Sequence, residues 1–197
     1  MATITQTAIA NMALAELGAQ RIVSFTDGSK NQGLVVSVYD FAKEHALCAH
    51  PWNFAIKRKA SQAALSTPPE WGWDFAFAVP SDCLRILILG KDGVETDEPW
   101  QHESAQDGSQ IIVTNLEAPV DIKYIYNVTN TQTFSPMFVI AFVKTLKWLL
   151  ARPLTGKAEI QVQCANELRE FFSKGMSTDG QEGTPEPYGS SELEDVR

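Results

Sequence analysis

Apolar residues recur every three to four positions at the start of the chain, which is the spacing of an amphipathic helix. The first such segment covers residues 4–17. Thr3 and Gln6 have the spacing of a capping box at its start, and Gly18 provides a stop at its end. The residues predicted to form its apolar stripe are Ile9, Met12, Ala13 and Leu17.

A second amphipathic segment covers residues 29–49. Ser29 and Gln32 repeat the capping-box spacing, and Pro51 limits the segment because the residue before a proline avoids helical geometry. The chain therefore begins with two predicted helices. The apolar stripe of the second helix consists of Val35, Val38, Tyr39, Ala42 and Ala46.

Between about residue 71 and residue 128 the apolar spacing changes to every second position, which is typical of strands. Short apolar runs at 84–89 and 111–113 lie beside the turn signals Asp92-Gly93 and Asp107-Gly108. Closely spaced strands without intervening helices indicate an antiparallel sheet or a small barrel. The positions predicted to share a strand face are Trp73, Phe75, Phe77 and Val79 in one segment and Val120, Ile122, Tyr124, Tyr126 and Val128 in another.

Helical spacing returns after the strands. Ser135-Pro136 suits the cap and first position of a helix over 136–152, which Pro153 is expected to end. A fourth helix is predicted over 156–174, starting from Thr155. Its inward positions are Ile160, Cys164, Leu168, Phe171 and Phe172.

These elements predict an α+β fold. We expect an α-helical bundle of two N-terminal and two C-terminal helices, with an antiparallel β subdomain inserted between the two pairs. Residues 1–175 are expected to form a single domain. Residues 176–197 are rich in Gly, Ser, Pro and Glu, which predicts a disordered C-terminal arm.

The acidity of the chain is concentrated in this arm. The net charge is −8, and residues 176–197 contribute −5 of it, with six acidic residues against Arg197. The arm also carries three sizeable apolar residues, Tyr188, Leu193 and Val196. Acidic arms of this kind can become ordered on a partner. We therefore predict that these three residues bind another protein chain.

The cysteines and the N-terminus indicate the class of protein. Cys48, Cys83 and Cys164 are odd in number and far apart, which favours reduced, buried thiols over a disulfide framework. The sequence has neither a signal-peptide pattern nor a run of about 18 apolar residues. We expect a soluble protein without a membrane span.

Candidate residues for chemistry are few. His45, Cys48 and His50 have a metal-like spacing, but zinc needs three or four ligands and no second cluster completes the set. Asp82-Cys83 has no histidine close in sequence to activate the thiol, although the fold can bring one near. Gly156-Lys157 lacks the rest of a phosphate-binding loop. We therefore predict no catalytic, cofactor-binding or metal-binding residues, with a cysteine-dependent enzyme as an alternative.

Lys57-Arg58-Lys59 is the one basic triplet of the sequence. One interpretation is a small DNA-binding module that contacts phosphates through these three side chains. The other is a solvated turn after the first aromatic cluster. The negative charge of the chain favours the turn.

Aromatic residues form two clusters where the second helix gives way to strands. The first occupies residues 50–55 and the second begins at residue 71 and continues to the run Pro-Ser-Asp-Cys-Leu-Arg at 80–85. Aromatic side chains at such a junction usually join one structural layer to the next, since each can bury roughly 150–250 Å². The residues that stand out as a structural signature are Pro51, Trp52, Asn53, Phe54, Trp73, Pro80 and Asp82.

The order of these residues resembles the tail tubular protein A family, the adaptor that joins portal to nozzle in short-tailed bacteriophages. The similarity extends over roughly residues 4–175. Besides the two aromatic clusters, it includes Ala13, Leu14, Glu16, Leu17 and Gly18, then Tyr39 and Asp40, the strand at 124–126, and Phe134, Ser135, Pro136 and Phe138.

The resemblance implies a structural virion protein without catalytic activity. Members of this family assemble as a ring, typically a dodecamer, between the portal and the tail nozzle protein. DNA passes through the ring without sequence-specific binding. The chain is then expected in the neck of the virion, after synthesis in the host cytoplasm, with its arm on the portal or a neighbouring subunit. A head-completion or neck protein of another phage type is an alternative.

Overall fold

The computed structural model describes residues 4–175, with side chains to residue 173. Within this range the chain forms four α-helices, seven β-strands and two single-turn 3-10 helices. The helices are α1 (Gln6–Glu16), α2 (Lys30–Ala49), α3 (Pro136–Thr155) and α4 (Ala158–Gly175), and the 3-10 turns are Asn53–Ala55 and Thr131–Thr133. The strands are β1 (Ile56–Gln62), β2 (Phe75–Ala78), β3 (Cys83–Lys91), β4 (Val94–Glu95), β5 (Trp100–Ser104), β6 (Gln110–Thr114) and β7 (Val120–Tyr126).

Helix α1 starts two residues later than predicted. Its N-cap is Thr5, whose hydroxyl accepts a hydrogen bond from the backbone N–H of Ala8, so the predicted cap by Thr3 is wrong. The buried face consists of Ile9, Ala10, Ala13 and Leu14. Met12, which the predicted stripe included, is 49% exposed. Small Ala10 takes the inward position, and Met12 is left on the surface.

Helix α3 lies against α1, α2 and α4. Lys147 of α3 forms ion pairs with Glu16 of α1 at 3.1 Å and with Glu167 of α4 at 2.8 Å. The ring of Phe142, also on α3, lies 5.0 Å from the ring of Tyr39 on α2. Helix α3, the most apolar of the four described helices, is therefore the helix that the other three contact.

The end of α3 corrects two predictions. Pro153 lies inside the last turn and does not end the helix, because only one N–H is lost there and the turn continues. Thr155 is the last residue of α3, and its hydroxyl donates to the carbonyl oxygen of Ala151 at 2.6 Å. Gly156 then stops the helix in the left-handed conformation, with φ of 69°.

The strands form two antiparallel sheets. The first has the order β1-β7-β3-β4, and the second has the order β2-β6-β5. Strand β7 is central to the first sheet, and its two faces have different neighbours. Val120, Ile122 and Tyr124 enter an apolar cluster with Phe77, whereas Ile125 belongs to the core shared with the helices.

Three details of the β region differ from the prediction. The region begins at Ile56 and not near residue 71, because the basic triplet Lys57-Arg58-Lys59 lies on an edge strand, not in a turn. Trp73 was predicted to share a strand face with Phe77. It packs instead against the cluster that contains Ala76, before the start of β2. Val128 lies beyond β7 and packs with the helices.

The predicted α+β class with antiparallel strands is confirmed: in the described part of the chain, four helices accompany two antiparallel sheets. Residues 176–197, including Tyr188, Leu193 and Val196, lie outside the described residues. Among the helices that are described, none combines the length and apolar character needed to cross a bilayer.

Candidate functional site

An aromatic junction, formed by Trp52, Phe54, Phe134 and Phe138, connects the helices to the start of the sheet. Trp52 is 2% exposed, and its indole N–H donates to the carbonyl oxygen of Ala46 at 2.9 Å. The Phe138 ring lies 5.5 Å from that of Trp52, 5.1 Å from that of Phe54 and 4.7 Å from that of Phe134. These edge-to-face contacts hold α3 against the segment that leads directly into β1.

A second group, the Asp82 cluster, consists of Lys57, Asp82, Tyr124 and Tyr126. Lys57 donates to the Asp82 carboxylate at 2.6 Å, and the Tyr124 hydroxyl donates to its other oxygen at 3.1 Å. The same ammonium lies 3.8 Å from the centre of the Tyr126 ring, a cation–π contact. Asp82 therefore bridges β1 and β7 from the turn before β3.

The surroundings shift the pKa values in this cluster. The hydrogen bond from Lys57 holds the pKa of the Asp82 carboxyl below its usual value. Burial, followed by the hydrogen bond to Asp82, raises the pKa of Tyr124 to about 12. Both shifts favour one fixed arrangement at neutral pH, with a charged aspartate and a protonated phenol. The cluster thus holds β1, β7 and the turn before β3 together.

Hydrogen bonds also link the Asp82 cluster to α2. The backbone N–H of Asn127 donates to the Asp82 carbonyl oxygen at 2.9 Å, and the Asn127 side chain donates to Glu44 of α2 at 2.9 Å. Arg85 donates to the carbonyl oxygen of Cys48, at the end of α2, also at 2.9 Å. The first sheet is thus attached to the helices through polar as well as aromatic contacts.

The seven predicted signature residues do not all meet. Trp52 and Phe54 lie in the aromatic junction, and Asp82 anchors the polar cluster. Pro80 is buried in the turn before β3, where its carbonyl oxygen accepts from the Cys83 N–H at 2.9 Å. The remaining three are elsewhere: Pro51 and Asn53 are exposed at the end of α2, and Trp73 is half-buried beside the second sheet.

The three thiols are placed unfavourably for nucleophilic chemistry. Burial raises the pKa of Cys48, Cys83 and Cys164, and that of Cys83 to about 11. A reactive cysteine needs the opposite shift. All three cysteines are free of disulfide bonds.

The two histidines of the predicted metal-like spacing, His45 and His50, lie beside aromatic rings. The His45 ring lies 6.3 Å from Phe41 and 6.0 Å from Trp148, and the His50 ring lies 4.8 Å from Trp52. Within the part of the chain that the structure describes, no three His, Cys, Asp or Glu side chains are grouped to hold a metal ion.

Two exposed apolar surfaces on the helices were missed by the sequence analysis. The first is a groove of about 580 Å³ between α1 and α3, lined among others by Met12, Val139 and Ile140. The second surrounds Phe41 on α2, whose side chain is 60% exposed beside His45. Large apolar side chains are costly to leave in water, so contiguous exposed patches often mark protein interfaces.

The second aromatic cluster also leaves a large side chain on the surface. Trp71, in the loop before β2, is 85% exposed. Gly72 follows it with φ of 86°, a conformation that favours glycine.

In comparisons with known proteins, no family model matches the chain and no curated protein is significantly similar to it.

Proposed function

We propose that this chain is a structural virion protein, a tail tubular adaptor that forms a ring between the portal and the tail nozzle of a short-tailed bacteriophage. The ring continues the DNA channel and serves in retention and ejection of the genome. In this proposal the chain has no catalytic role, and it reaches the neck of the virion after synthesis in the host cytoplasm.

The observation that carries the proposal is the convergence of several of the residues on which the family resemblance rests. Trp52 and Phe54 contact Phe138, although more than eighty positions separate them in the sequence. Asp82 likewise accepts a hydrogen bond from Tyr124, 42 positions away. These parts of the motifs therefore meet at the boundary between the helices and the first sheet, which supports a common structural role for them.

The arrangement also suits a structural part better than an enzyme. The aromatic junction and the Asp82 cluster fasten the sheet to the helices through buried rings, a cation–π contact and a charged hydrogen bond. Rigid attachment between two layers transmits force from one protein neighbour to another. The raised pKa values of the three cysteines count against the cysteine-dependent enzyme.

The finer architecture forms part of the proposal. Residues 1–175 act as one adaptor domain, in which α1 and α2 complete an α-helical bundle with α3 and α4 across the β region. Support comes from the contacts of α3 with the other three helices. Residues 176–197 form an acidic arm that binds the portal or a neighbouring subunit through Tyr188, Leu193 and Val196.

The electrostatics agree with a conduit for DNA. Residues 1–175 carry −3 of the net charge of −8, and a channel wall of that sign repels the phosphate backbone weakly and lets it slide. The structure also weakens the DNA-binding alternative. Lys57 is held by Asp82, and the cavity beside Arg58 and Lys59 is lined as well by Glu95 and Asp121.

The test is reconstitution with the cognate portal. Purified chain and portal are mixed and imaged by electron microscopy, and a ring of this chain seated on the portal is the expected product. An unrelated acidic soluble protein of similar size serves as the non-binding control. Absence of any complex with the portal, under conditions where the portal itself is intact, would refute the proposed function.

A further inference from the structure

The groove between α1 and α3 leaves large apolar side chains uncovered. Met12 of α1 is 49% exposed and Ile140 of α3 is 44% exposed, and both line the groove. Val139 and Val143, which are buried on α3, form its floor. The groove has a volume of about 580 Å³, within the usual range of binding clefts.

Helices α1 and α3 lie side by side and run in the same direction. Just before α3, the Thr131 hydroxyl donates to the carbonyl oxygen of Ile4, which precedes α1, at 2.8 Å. Toward the other end, Lys147 of α3 pairs with Glu16 of α1 at 3.1 Å. The groove is therefore a channel that follows both helices along their length.

Helix α4 runs in the opposite direction along the same side of α3. Lys147, which pairs with α1, also pairs with Glu167 of α4 at 2.8 Å. About one turn earlier on α3, the Lys144 ammonium lies 6.0 Å from the centre of the Phe171 ring, which is one turn later on α4. Lys147 therefore marks the side of α3 that lies between α1 and α4.

The end of α4 lies at the level of the exposed groove residue Ile140. Ile140 precedes Lys147 by about two turns, which places it on the same side of α3, about 10 Å away along the axis. Gly175, the last residue of α4, follows Glu167 by about 12 Å of helix. The chain therefore leaves α4 beside the groove, within about one helix spacing of 10 Å.

The segment that follows α4 has apolar side chains but no core of its own. Residues 176–197 begin directly after α4 and lie outside the described residues. They are mostly polar residues, glycine and proline, a composition that cannot bury enough apolar surface to fold alone. Tyr188 follows Gly175 by a contour length of roughly 45 Å, so the chain is long enough to turn back to a groove about 10 Å away. The sizeable apolar residues of the segment are Met176, Tyr188, Leu193 and Val196.

We infer that the C-terminal arm folds back over this groove in its own chain. Tyr188, Leu193 and Val196 then pack against Met12 and Ile140. The three side chains that are proposed to bind the portal or a neighbouring subunit are thus covered by the chain itself until a partner competes for them. The contact within the chain goes beyond the proposed function, and only its displacement by a partner rests on that function.

The contact depends on apolar packing and not on charge. Among the described residues that line the groove there is one acid, Glu16, and one base, Arg21, and Glu16 is already paired with Lys147. The acidic arm therefore gains no net attraction there. We expect the contact to persist at about 0.5 M salt, where attraction between exposed charges is largely screened.

Oxidation of Met12 by hydrogen peroxide tests the inference, because a covered thioether reacts more slowly than an exposed one. Peptide mass spectrometry measures the rate in the full chain and in a chain that ends at Gly175. A triple variant of the full chain removes only the packing side chains, and it keeps the test valid if the shortened chain does not fold. Its substitutions are Tyr188→Ala, Leu193→Ala and Val196→Ala.

Two controls accompany these chains. A second triple variant changes polar residues of the arm, with the substitutions Gln181→Ala, Thr184→Ala and Ser191→Ala. The reference for peroxide reactivity is the methionine introduced by Val36→Met in every chain. Val36 lies on α2, is 46% exposed and does not line the groove, so its exposure matches that of Met12.

The expected protection follows from the tether. A tether of this length gives an effective concentration on the order of 1 mM, so a contact with a Kd of about 0.1 mM covers the groove about nine-tenths of the time. Met12 should therefore oxidise about tenfold more slowly in the full chain and the polar control than in the shortened chain and the apolar triple variant. The reference rate should be equal in all chains. Protection should be the same at about 1 µM and about 100 µM protein, because the contact lies within one chain.

Several outcomes overturn the inference. Equal rates of Met12 oxidation in the full and shortened chains do so, and so does protection that survives in the apolar triple variant. Protection that increases with protein concentration overturns it as well, because the arm of another copy then covers the groove.

The portal reconstitution is a separate measurement. A full chain that protects Met12 but forms no ring on the portal leaves the inference standing and refutes the adaptor function. An unprotected Met12 in a chain that does form the ring refutes the inference and leaves the adaptor function standing.

Discussion

Replacing Phe138 by alanine should remove the centre of the aromatic junction. The Phe138 side chain is fully buried, and its ring lies within 5.8 Å of four other rings. Those rings belong to Trp52 and Phe54 before β1, and to Phe134 and Phe142 on the α3 side. The substitution therefore opens a cavity where the helices meet the sheet.

The expected loss in the free energy of unfolding is large. Truncating a buried phenylalanine to alanine typically costs about 3–5 kcal/mol. Three of the four ring contacts at Phe138 are edge-to-face, with interplanar angles of 66° to 77°. Each well-oriented pair contributes about 0.5–1.5 kcal/mol beyond burial, which places the expected loss in the upper half of the range. The total free energy of unfolding of most domains is only about 5–15 kcal/mol.

Urea denaturation followed by tryptophan fluorescence measures this loss, since Trp52 reports directly on the junction. Phe138→Leu is the companion variant, expected to lose about 1–1.5 kcal/mol and to remain folded if the alanine variant does not. Phe41→Ala is the exposed control, expected within about 0.5 kcal/mol of the unaltered chain. A loss below about 1 kcal/mol for Phe138→Ala would refute the assignment of Phe138 to the centre of the junction.

Three further predictions concern individual contacts. Tyr39→Phe should stabilise the protein by about 1 kcal/mol in a thermal melt, because the Tyr39 hydroxyl is buried without a hydrogen-bond partner among the described residues. Gly90→Ala should destabilise it by about 1–3 kcal/mol in urea, because the added Cβ would lie 2.6 Å from the backbone oxygen of Val94. Asp82→Asn should cost about 1 kcal/mol at pH 7, a figure reduced for the partial exposure of the Asp82–Lys57 pair. Since the folded-state pKa of Asp82 is lowered, this difference should be fully present above pH 4 and disappear as the pH falls through that pKa, measured by urea denaturation at stepped pH.

Each of these predictions has an outcome that contradicts it. Destabilisation of Tyr39→Phe by more than about 1 kcal/mol would mean that the hydroxyl has a partner. Unchanged stability of Gly90→Ala would mean that β3 and β4 are not so closely apposed. A stability difference between Asp82→Asn and the unaltered chain that increases as the pH falls would contradict the prediction, because stabilisation by Lys57 requires an ionised Asp82 carboxylate.

The helices were largely predictable because their burial follows one apolar stripe. Of the five predicted stripe positions in α2, Val35, Tyr39, Ala42 and Ala46 are buried and Val38 is half-buried. Helix α1 contains an exception. The spacing places Met12 on the same apolar stripe as Ile9, but the buried face includes Ala10 and not Met12. Spacing alone cannot tell which edge of a wide stripe a neighbouring helix covers.

Strand β1 was missed for a physical reason. Five of its seven residues are exposed, so the segment has no alternation of apolar and polar positions. It is a strand because it pairs with β7, and the paired residues are 58 to 69 positions apart in the chain. Such pairing leaves no local signal.

The Asp82 cluster shows the same limit for a candidate site. Asp82 stands out through the family resemblance, yet its partners Lys57 and Tyr124 lie 25 and 42 positions away. The groove at Met12 was not predicted either, because Met12 was assigned to the apolar stripe of the first helix. Which apolar side chains stay uncovered is decided by tertiary packing.

The chain enters the sheets at Ile56 and leaves them just after Ile125, and these two residues are cross-strand partners. Entry and exit are therefore neighbours, roughly 5 Å apart as adjacent strands are. The region is nevertheless not held by its base alone, because Asp82 and Arg85 attach the start of β3 to β1 and to the end of α2. Loops away from these contacts, such as the turn between β5 and β6, can lengthen while the base keeps its geometry. Variation in size among related chains is accordingly expected in those loops.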